Sequence, residues 1–238
     1  MISLAEFQEN VRKCWRFILD ITWDQNRRHP ELPRSTCMKE RSFLHSLLGS
    51  NEISFFEKAC RLADQVQTRE EMEVLLPELV GWMTENKFPV TPDNPSFAEG
   101  RTFRYDVLKE SNWCYIHIRN AKMPQSFLKD PHYVADNLRF IMDLAEKEHQ
   151  CDTIYTASWL NDYPPFLRFF PEEWQKNLTD TGEFGATGGW QGQFINGRGL
   201  LNEAHAAKFL ENGVLPCARR ESHCSFEALR QHLNKLGL

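Results

Sequence analysis

The spacing of apolar residues over positions 1–90 predicts a helical region. Apolar side chains recur at intervals of three and four from Phe7 to Trp23, after Ser3 in a capping position, and this predicts a helix over about residues 3–26. The same spacing predicts three further helices, over residues 38–48, 53–66 and 68–86. No motif of known chemistry appears in this region, and we expect it to cover a sheet, to form a lid or to pair with a second copy in a homodimer.

The pattern changes character after this region. Residues 87–101 hold three prolines and one glycine with little periodicity, which is typical of a linker or an ordered loop. We therefore predict a boundary at residues 91–105, with an α/β domain over residues 106–238.

Strand-like and helix-like patterns alternate in this second half. Residues 113–118 (WCYIHI) and 153–159 (TIYTASW) are short β-favouring runs, and residues 131–148 between them have the periodicity of an amphipathic helix. A strand, a helix and a strand predict a βαβ unit with two parallel strands.

Two more strands and two more helices are expected towards the C-terminus. Residues 190–195 predict a third strand in a glycine-rich stretch, followed by a helix over residues 200–212 that ends at Gly213. A fourth strand lies within residues 214–224, and Ser225 caps the last helix. The predicted class is α/β, with α+β as the alternative: a small, mostly parallel or mixed sheet of about four strands, flanked by helices.

Composition excludes several classes of function. The chain is 41% hydrophobic and 26% charged, with a net charge of −5, and its basic residues are not concentrated as nucleic-acid binding requires. It has no apolar run long enough to cross a membrane, and its seven dispersed cysteines form no CxxC pair. We therefore expect a soluble cytoplasmic protein that binds neither nucleic acid nor membranes.

A glycine turn is the most specific local motif. Gln193 precedes Gly197-Arg198-Gly199, and the turn opens a predicted helix, where free backbone N–H groups and the helix dipole favour a phosphate. An ordinary tight turn between a strand and a helix is the alternative.

The turn and the segment after it resemble part of the GCN5-related, acyl-CoA-dependent N-acetyltransferase superfamily, over about residues 189–238. The resemblance implies that Gln193, Gly197, Arg198 and Gly199 hold the pyrophosphate of coenzyme A. The spacing from Gln193 to Gly197 is one residue longer than in the family pattern, and the chain stops where the family adds further strands.

Histidines near predicted strand ends are the candidate catalytic bases. His117 and His223 both come close to strand ends, and ligands bind at the carboxyl ends of parallel strands. A neutral imidazole there acts as a general base, while Cys224, at the start of a helix, is expected to have a lowered thiol pKa and to serve as a nucleophile. A structural role is the alternative for each of the three.

Two further candidate sites have weaker patterns. Trp159 and Tyr163 belong to an aromatic run that either lines a substrate pocket or packs in the core, and Asn161 is placed to orient a substrate carbonyl. The residue types that bind metals occur without metal-site spacing, so no tightly bound metal is expected; they are His117, His205, His223, Glu203 and Glu221.

The leading functional prediction is an acyltransferase that uses a coenzyme A or phosphopantetheine thioester to modify a small amine or hydroxyl substrate. A hydrolase or oxygenase with a His/Cys or metal site is the rival enzyme class. A binding or assembly protein that uses its N-terminal helices is the third alternative.

Overall fold

In the computed structural model, residues 2–49, 52–90, 96–182 and 188–238 are described. The chain forms two compact units. The first unit comprises Met1–Val90 and Glu183–Pro216, and the second comprises Thr91–Gly182 and Cys217–Leu238. Residues 183–216, which the sequence pattern places in the C-terminal α/β domain, thus belong to the unit of the N-terminal helices.

The helices lie where the apolar periodicity predicts them, but the predicted helix over residues 38–48 is interrupted at Ser42 and Phe43, and the one over residues 68–86 begins as a 3-10 helix over Glu70–Leu75. In chain order the helices are α1 Leu4–Arg28, α2 Arg34–Arg41, α3 Leu44–Leu48, α4 Ile53–Gln65, α5 Leu76–Lys87, α6 Pro131–His149, α7 Pro164–Leu167, α8 Glu172–Lys176, α9 Gly188–Gln191, α10 Glu203–Asn212 and α11 Phe226–Lys235. Within the described residues, no helix combines the length and the apolar composition that a membrane crossing requires. The strands are β1 Phe103–Leu108, β2 Trp113–Ile118, β3 Thr153–Ser158, β4 Thr179–Asp180 and β5 Arg220–Ser225.

Helix α1 is the centre of the first unit. The Ser3 hydroxyl accepts a hydrogen bond from the Glu6 backbone N–H at 3.2 Å, so the predicted N-terminal cap is present. One face of the helix buries Val11, Trp15 and Ile18 against α2, α4 and α5. The predicted helix over residues 3–26 is confirmed.

The predicted third strand, residues 190–195, is wrong. This segment forms the end of α9 and a 3-10 turn over Gly192–Phe194. Trp190 and Phe194 are four residues apart and both pack into a cluster with Phe17 of α1. A spacing of four places two side chains on the same side of a helical turn, whereas a strand alternates its faces every residue.

The second unit contains a mixed five-stranded sheet. Its strand order is β1-β2-β3-β5-β4, with β2 and β3 parallel and the other pairs antiparallel. The βαβ unit β2-α6-β3 and the α/β class are confirmed. Strand β1 was not predicted. It begins soon after the proline-rich segment, and its charged residues interrupt the alternation of apolar and polar positions.

Helices α6 and α11 supply the core of the second unit. The side chains of Asp130 and Ser225 cap these two helices. Each accepts a hydrogen bond from the backbone N–H of the third residue of its helix, Tyr133 in α6 and Ala228 in α11. Their apolar faces pack in one cluster with alternate residues of the strands. The fully buried members of this cluster include Cys114, Ile116, Val134, Leu138, Ile154, Phe166, Trp174, Cys224, Leu229 and Leu233.

Candidate functional site

The sheet has a second face, which carries aromatic side chains. Because successive strand residues point to opposite faces, the residues between those of the core point away from α6 and α11. We call this surface the aromatic face and define it by Trp113, Tyr115, His117, Tyr155 and His223. All five are half-buried, and none belongs to a core cluster found among the described residues.

The five rings form a continuous series of contacts. Trp113 stacks on His223 with ring centroids 4.5 Å apart and an interplanar angle of 23°, and Tyr115 lies 4.5 Å from His117. Tyr155 connects the two pairs, at 5.3 Å from Tyr115 and 6.1 Å from Trp113. The aromatic face is therefore one surface that spans three strands.

The strand register places a small residue, Ala157, beside these rings. Tyr155 pairs with Tyr115 on one side and with His223 on the other. Two residues further along β3, Ala157 pairs with Glu221, and the same parallel register places it level with His117. The backbones of β2 and β5 are about 10 Å apart across β3. The small alanine thus lies between an imidazole and a carboxylate.

His117 has the geometry of a general base. Its Nε2 lies 2.7 Å from an Asp106 carboxylate oxygen, and both oxygens of that carboxylate accept hydrogen bonds from Arg104 at 3.1 and 3.2 Å. An ionised carboxylate only accepts, so Nε2 carries the hydrogen and Nδ1 carries the lone pair. Among the described residues, Nδ1 has no hydrogen-bond partner.

The electrostatics of the same group favour a neutral imidazole. Burial lowers the pKa of His117, the charge of Arg104 lowers it further, and the opposing effect of Asp106 is smaller. The pKa of Asp106 is also lowered: burial acts to raise it, but the hydrogen bond from His117 and the charge of Arg104 outweigh that effect. At neutral pH the pair is an uncharged imidazole beside an ionised carboxylate, the arrangement that a proton acceptor needs.

Glu221 lies on the other side of Ala157 from His117. Tyr155 donates its hydroxyl hydrogen to one carboxylate oxygen at 2.7 Å, and Thr179 donates to the other at 3.3 Å. Burial and the hydrogen bond to Glu221 raise the pKa of Tyr155, so the phenol stays protonated. Glu221 forms no ion pair with a cation of the described residues.

Arg219 is the most unusual side chain of this region. Its carbonyl oxygen accepts a hydrogen bond from the Thr181 N–H at 3.2 Å, so Arg219 continues the pairing of β5 with β4. Residues two apart on a strand point to the same face, and Arg219 is therefore on the same side as Glu221. The charge of Arg219 also lowers the pKa of Tyr155, against the larger effect of burial.

The Nε of Arg219 is buried and has no hydrogen-bond partner. The next residue, Arg220, pairs with Asp162 at 3.1 Å and with Asp180 at 3.0 Å.

A buried donor without an acceptor costs about 1–3 kcal/mol, so native proteins keep few of them. Across the described part of the chain, only Trp15 also has a buried side-chain nitrogen without a hydrogen-bond partner. Arg219 forms no ion pair with a described carboxylate, although Glu221 is two residues away. Arg219 as a whole is half-buried, and its terminal guanidinium nitrogens form no hydrogen bond with the described residues, so these nitrogens are available to an anion that comes from outside the chain.

The two predicted catalytic histidines lie on the same face but far apart. His117 and His223 are separated by two strand spacings and two residues along the strands, which is about 12 Å between their backbones. The expectation that both lie at carboxyl ends of parallel strands is wrong for His223, because β5 runs antiparallel to β3. His223 stacks on Trp113, and no acidic partner orients it among the described residues.

Cys224 does not have the predicted reactivity. Its side chain is 0% exposed, points to the opposite face and belongs to the core with α11. Burial raises the pKa of this thiol, and the charge of Glu173 raises it further. The expectation of a lowered pKa is wrong. The helix that follows buries Cys224, and burial disfavours the charged thiolate more than the helix dipole favours it.

The predicted phosphate turn lies in the first unit, and its polar groups are occupied. The Asn196 side-chain oxygen accepts hydrogen bonds from the backbone N–H groups of Arg198 at 2.9 Å and of Leu200 at 3.2 Å. The Gly199 N–H donates to the Asn196 carbonyl oxygen at 2.9 Å. The Arg198 guanidinium pairs with Glu6 at 2.6 Å. An asparagine thus occupies the place that a phosphate would take.

The other residues of that motif have structural contacts. Gln193 is buried, and its amide nitrogen donates to the Trp190 carbonyl oxygen at 3.1 Å. Gly197 also has a polar or electrostatic contact. The turn follows a 3-10 turn instead of a strand, and α10 begins at Glu203 instead of residue 200. The motif and the two predicted bases belong to different units.

The predicted substrate pocket contains a structural residue. Asn161 is 0% exposed, donates to the carbonyl oxygens of Thr156 and Arg220 at 2.9 Å each, and accepts from the Trp174 indole N–H at 3.3 Å. Its amide is thus fully used in joining β3 to β5. Trp159 and Tyr163 contact each other at 5.9 Å beside the core.

The sequence pattern missed Asp106 and Arg219, and it named Glu221 only among the residue types that bind metals. The alternation in residues 113–118 does show which side chains share a face with His117. The position of Asp106 depends on the unpredicted strand β1, and the pairing state of Arg219 depends on which neighbours approach it in space. In the described ranges, no three His, Cys, Asp or Glu residues are grouped as metal ligands.

Comparisons with known proteins found no match: no family model, no curated protein and no solved structure resembles this chain significantly. The resemblance of residues 189–238 to the acyl-CoA-dependent N-acetyltransferases therefore stays a prediction. The functional conclusions rest on the geometry of the second unit, namely the aromatic face, the His117–Asp106 pair and the unpaired Arg219.

Proposed function

We propose that the second unit binds a small anionic substrate at Arg219 and that His117 accepts a proton during its conversion. The observation that supports this proposal most directly is the half-buried guanidinium of Arg219, which forms no ion pair and no hydrogen bond with the described residues. A carboxylate or phosphate oxygen accepts hydrogen bonds from its terminal nitrogens and neutralises a charge that no described carboxylate pairs with.

The small side chain of Ala157 lies between the two groups that we assign to the reaction. Glu221 on one side is held by two hydroxyl groups and attracts a hydroxyl or amine of the substrate. On the other side, the Nδ1 lone pair of His117 accepts a proton from such a group. Binding of the anion at Arg219 and proton transfer at His117 are therefore separate tasks of separate residues.

Acyl transfer from a coenzyme A thioester is the reaction that we propose first. The acceptor nitrogen or oxygen attacks the thioester carbonyl, its proton passes to His117, and the thiolate of coenzyme A leaves and takes up a proton. The support for the donor is the sequence resemblance alone, since the described N–H groups of the turn at Arg198 and Gly199 already have acceptors. With water as the acceptor, the same base gives hydrolysis.

The test compares two neighbouring arginines. Thermal unfolding of the wild type, Arg219→Met and Arg220→Met is measured with inorganic phosphate, pyrophosphate and acetyl-CoA. We expect at least one of these anions to raise the Tm of the wild type and of Arg220→Met, because a ligand at 100 times its Kd stabilises by about 2.7 kcal/mol. The Arg219→Met variant should show no shift with that anion.

Catalysis is tested separately on His117. In a transfer assay with acetyl-CoA and a panel of small amines, the His117→Gln variant should retain the anion-induced Tm shift and lose product formation. An equal Tm shift in Arg219→Met and the wild type would exclude Arg219 as the anion site. Full activity of His117→Gln would exclude the imidazole as the base.

A further inference from the structure

The aromatic face carries five rings that are not part of the core of the second unit. The buried core of the second unit is made by the opposite face with α6, α7, α8 and α11, and the five rings lie outside it. Aromatic side chains bury a large apolar area when they find a partner, so five half-buried rings in contact leave substantial apolar area available.

The rings are arranged as a platform. Trp113 reaches across β3 to stack on His223, and the series continues through Tyr155 and Tyr115 to His117. Three strands and three successive rows of residues give a surface of about 10 by 13 Å. Planar rings of ligands stack on such surfaces, and each stacked base contributes about 1–3 kcal/mol.

The charges beside the platform limit what binds there. Among the described residues of this face, Arg219 is a cation without an ion pair, whereas Arg104 is bound to Asp106. Glu221 adds an unpaired negative charge, and the chain carries a net charge of −5. A nucleic-acid strand needs a groove with several cations along its backbone. One free guanidinium next to stacked rings instead suits one base with one phosphate group.

We propose that the ligand of the aromatic face is a mononucleotide-type molecule, whose planar base stacks on the platform at Trp113 while its phosphate group binds Arg219. This inference rests on the proposed function, because it adds a ring subsite to the same anion site. The adenosine part of an acyl-CoA and a free nucleotide share this chemistry.

Three probes separate the ring from the anion. Binding of adenosine 5′-monophosphate, adenosine and ribose 5-phosphate to the full chain is measured by titration calorimetry. The variants are Trp113→Leu for the ring subsite and Arg219→Met for the anion subsite. Trp82→Leu is the matched control, since Trp82 is half-buried as Trp113 is and belongs to the first unit.

Each variant should change a different pair of affinities. The Trp113→Leu variant should bind the nucleotide and adenosine about tenfold or more weakly, as expected for a lost stacking contact, and should bind ribose 5-phosphate as the wild type does. Arg219→Met should weaken binding of the nucleotide and of ribose 5-phosphate and leave adenosine unchanged. The control should bind all three probes as the wild type does.

The possible failures are distinguishable. If the nucleotide binds no better than ribose 5-phosphate and Trp113→Leu changes neither, the ring subsite is excluded while the anion site at Arg219 stands. If Arg219→Met changes no affinity, the proposed function fails even where adenosine binds at Trp113. Absence of nucleotide binding at millimolar concentration excludes the inference, and inorganic phosphate then tests the anion site alone. Much tighter, strongly salt-dependent binding of single-stranded DNA would show that the ligand is a polymer.

To separate the two sources of a nucleotide, acetyl-CoA, its dephospho form and free pantetheine are added to the same titrations. A coenzyme A ligand predicts that acetyl-CoA binds more tightly than adenosine 5′-monophosphate and that Trp113→Leu weakens this binding. A free nucleotide predicts that acetyl-CoA binds no more tightly than the monophosphate. Binding of pantetheine alone, unaffected by Trp113→Leu and Arg219→Met, would argue that the nucleotide part is not recognised on the aromatic face.

Discussion

The two faces of the sheet in the second unit are made by the same strands and differ in almost every physical property. On the helix-covered face, Cys114, Ile116, Ile154 and Cys224 are 0% exposed. On the aromatic face the side chains are half-buried, and the exposed fraction of the His117 side chain is 29%. At the centre of the sheet, isoleucines and cysteines thus face the core, while rings and titratable groups occupy the other side.

This difference separates stability from function. The helix-covered face satisfies its polar groups internally, as Asn161 does with two carbonyl oxygens and an indole N–H. The aromatic face keeps a base at His117 with a free nitrogen and a cation at Arg219 with an unsatisfied donor. Unsatisfied groups lower stability and are retained where a ligand completes them.

The largest effect is expected from removing a large side chain on the helix-covered face. Phe166 is 0% exposed, so Phe166→Ala should lower the free energy of unfolding by about 3–5 kcal/mol. Tyr115→Ala on the aromatic face should cost less than half as much, because its ring is only half-buried. Urea denaturation measures both. Equal losses would mean that the aromatic face is as much a part of the core as the other face.

The next effect concerns a polar group on the helix-covered side. Asn161→Ala leaves buried partners at Thr156, Arg220 and Trp174 unsatisfied, and each buried group left so costs about 1–3 kcal/mol. We expect a loss of stability in urea denaturation with unchanged nucleotide affinity. Asn234→Ala, an exposed position on α11, is the control. A loss of affinity with intact stability would return Asn161 to the substrate pocket that its sequence position predicts.

The sequence predicted the parts of the fold that depend on local periodicity. The βαβ unit follows from two β-favouring runs around an amphipathic helix, and the caps at Ser3 and Ser225 follow from residue type. Residues 190–195 were misassigned because a run of six is too short to distinguish a period of two from one of 3.6. Trp190 and Phe194 are four residues apart and pack in one cluster with Phe17 of α1, which shows that the helical period applies.

The candidate site was only partly predictable. The alternation in residues 113–118 places His117 on the face opposite to Ile116, so one base could be found from the sequence. Asp106 pairs with it through the antiparallel register of β1 and β2, and that pairing joins residues eleven positions apart. The difference between Arg219 and Arg220 cannot be read from the sequence, since it depends on which carboxylates approach each guanidinium.

The contrast between Arg219 and Arg220 predicts smaller changes in the free energy of unfolding, of opposite sign for the two variants. Arg219→Met removes a buried unsatisfied donor, so the free energy of unfolding should stay unchanged or rise by up to about 1 kcal/mol. Arg220→Met removes two ion pairs of a partly exposed side chain, and a loss of up to about 1 kcal/mol is expected. Denaturation without ligand measures both. A loss in Arg219→Met similar to that in Arg220→Met would show that Arg219 stabilises the fold.

The smallest expected effect is a pair of opposite shifts in the pKa of His117, followed by NMR titration of its imidazole signals. Asp106 raises this pKa and Arg104 lowers it, so Asp106→Asn should move it further down and Arg104→Gln should move it up. Lys176→Gln, an exposed charge on α8, is the control and should leave it unchanged.

The sign of the linked stability change follows from the same shifts. Because the pKa of His117 is lower in the folded than in the unfolded chain, the unfolded chain binds the proton first as pH falls below its ordinary value near 6.5. The contribution of His117 to stability is therefore complete above that pH and declines below it, more steeply in Asp106→Asn and less in Arg104→Gln. Shifts of both variants in the same direction would show that these two charges do not control the imidazole. The aromatic face would then lack the tuned base that distinguishes it from the helix-covered face.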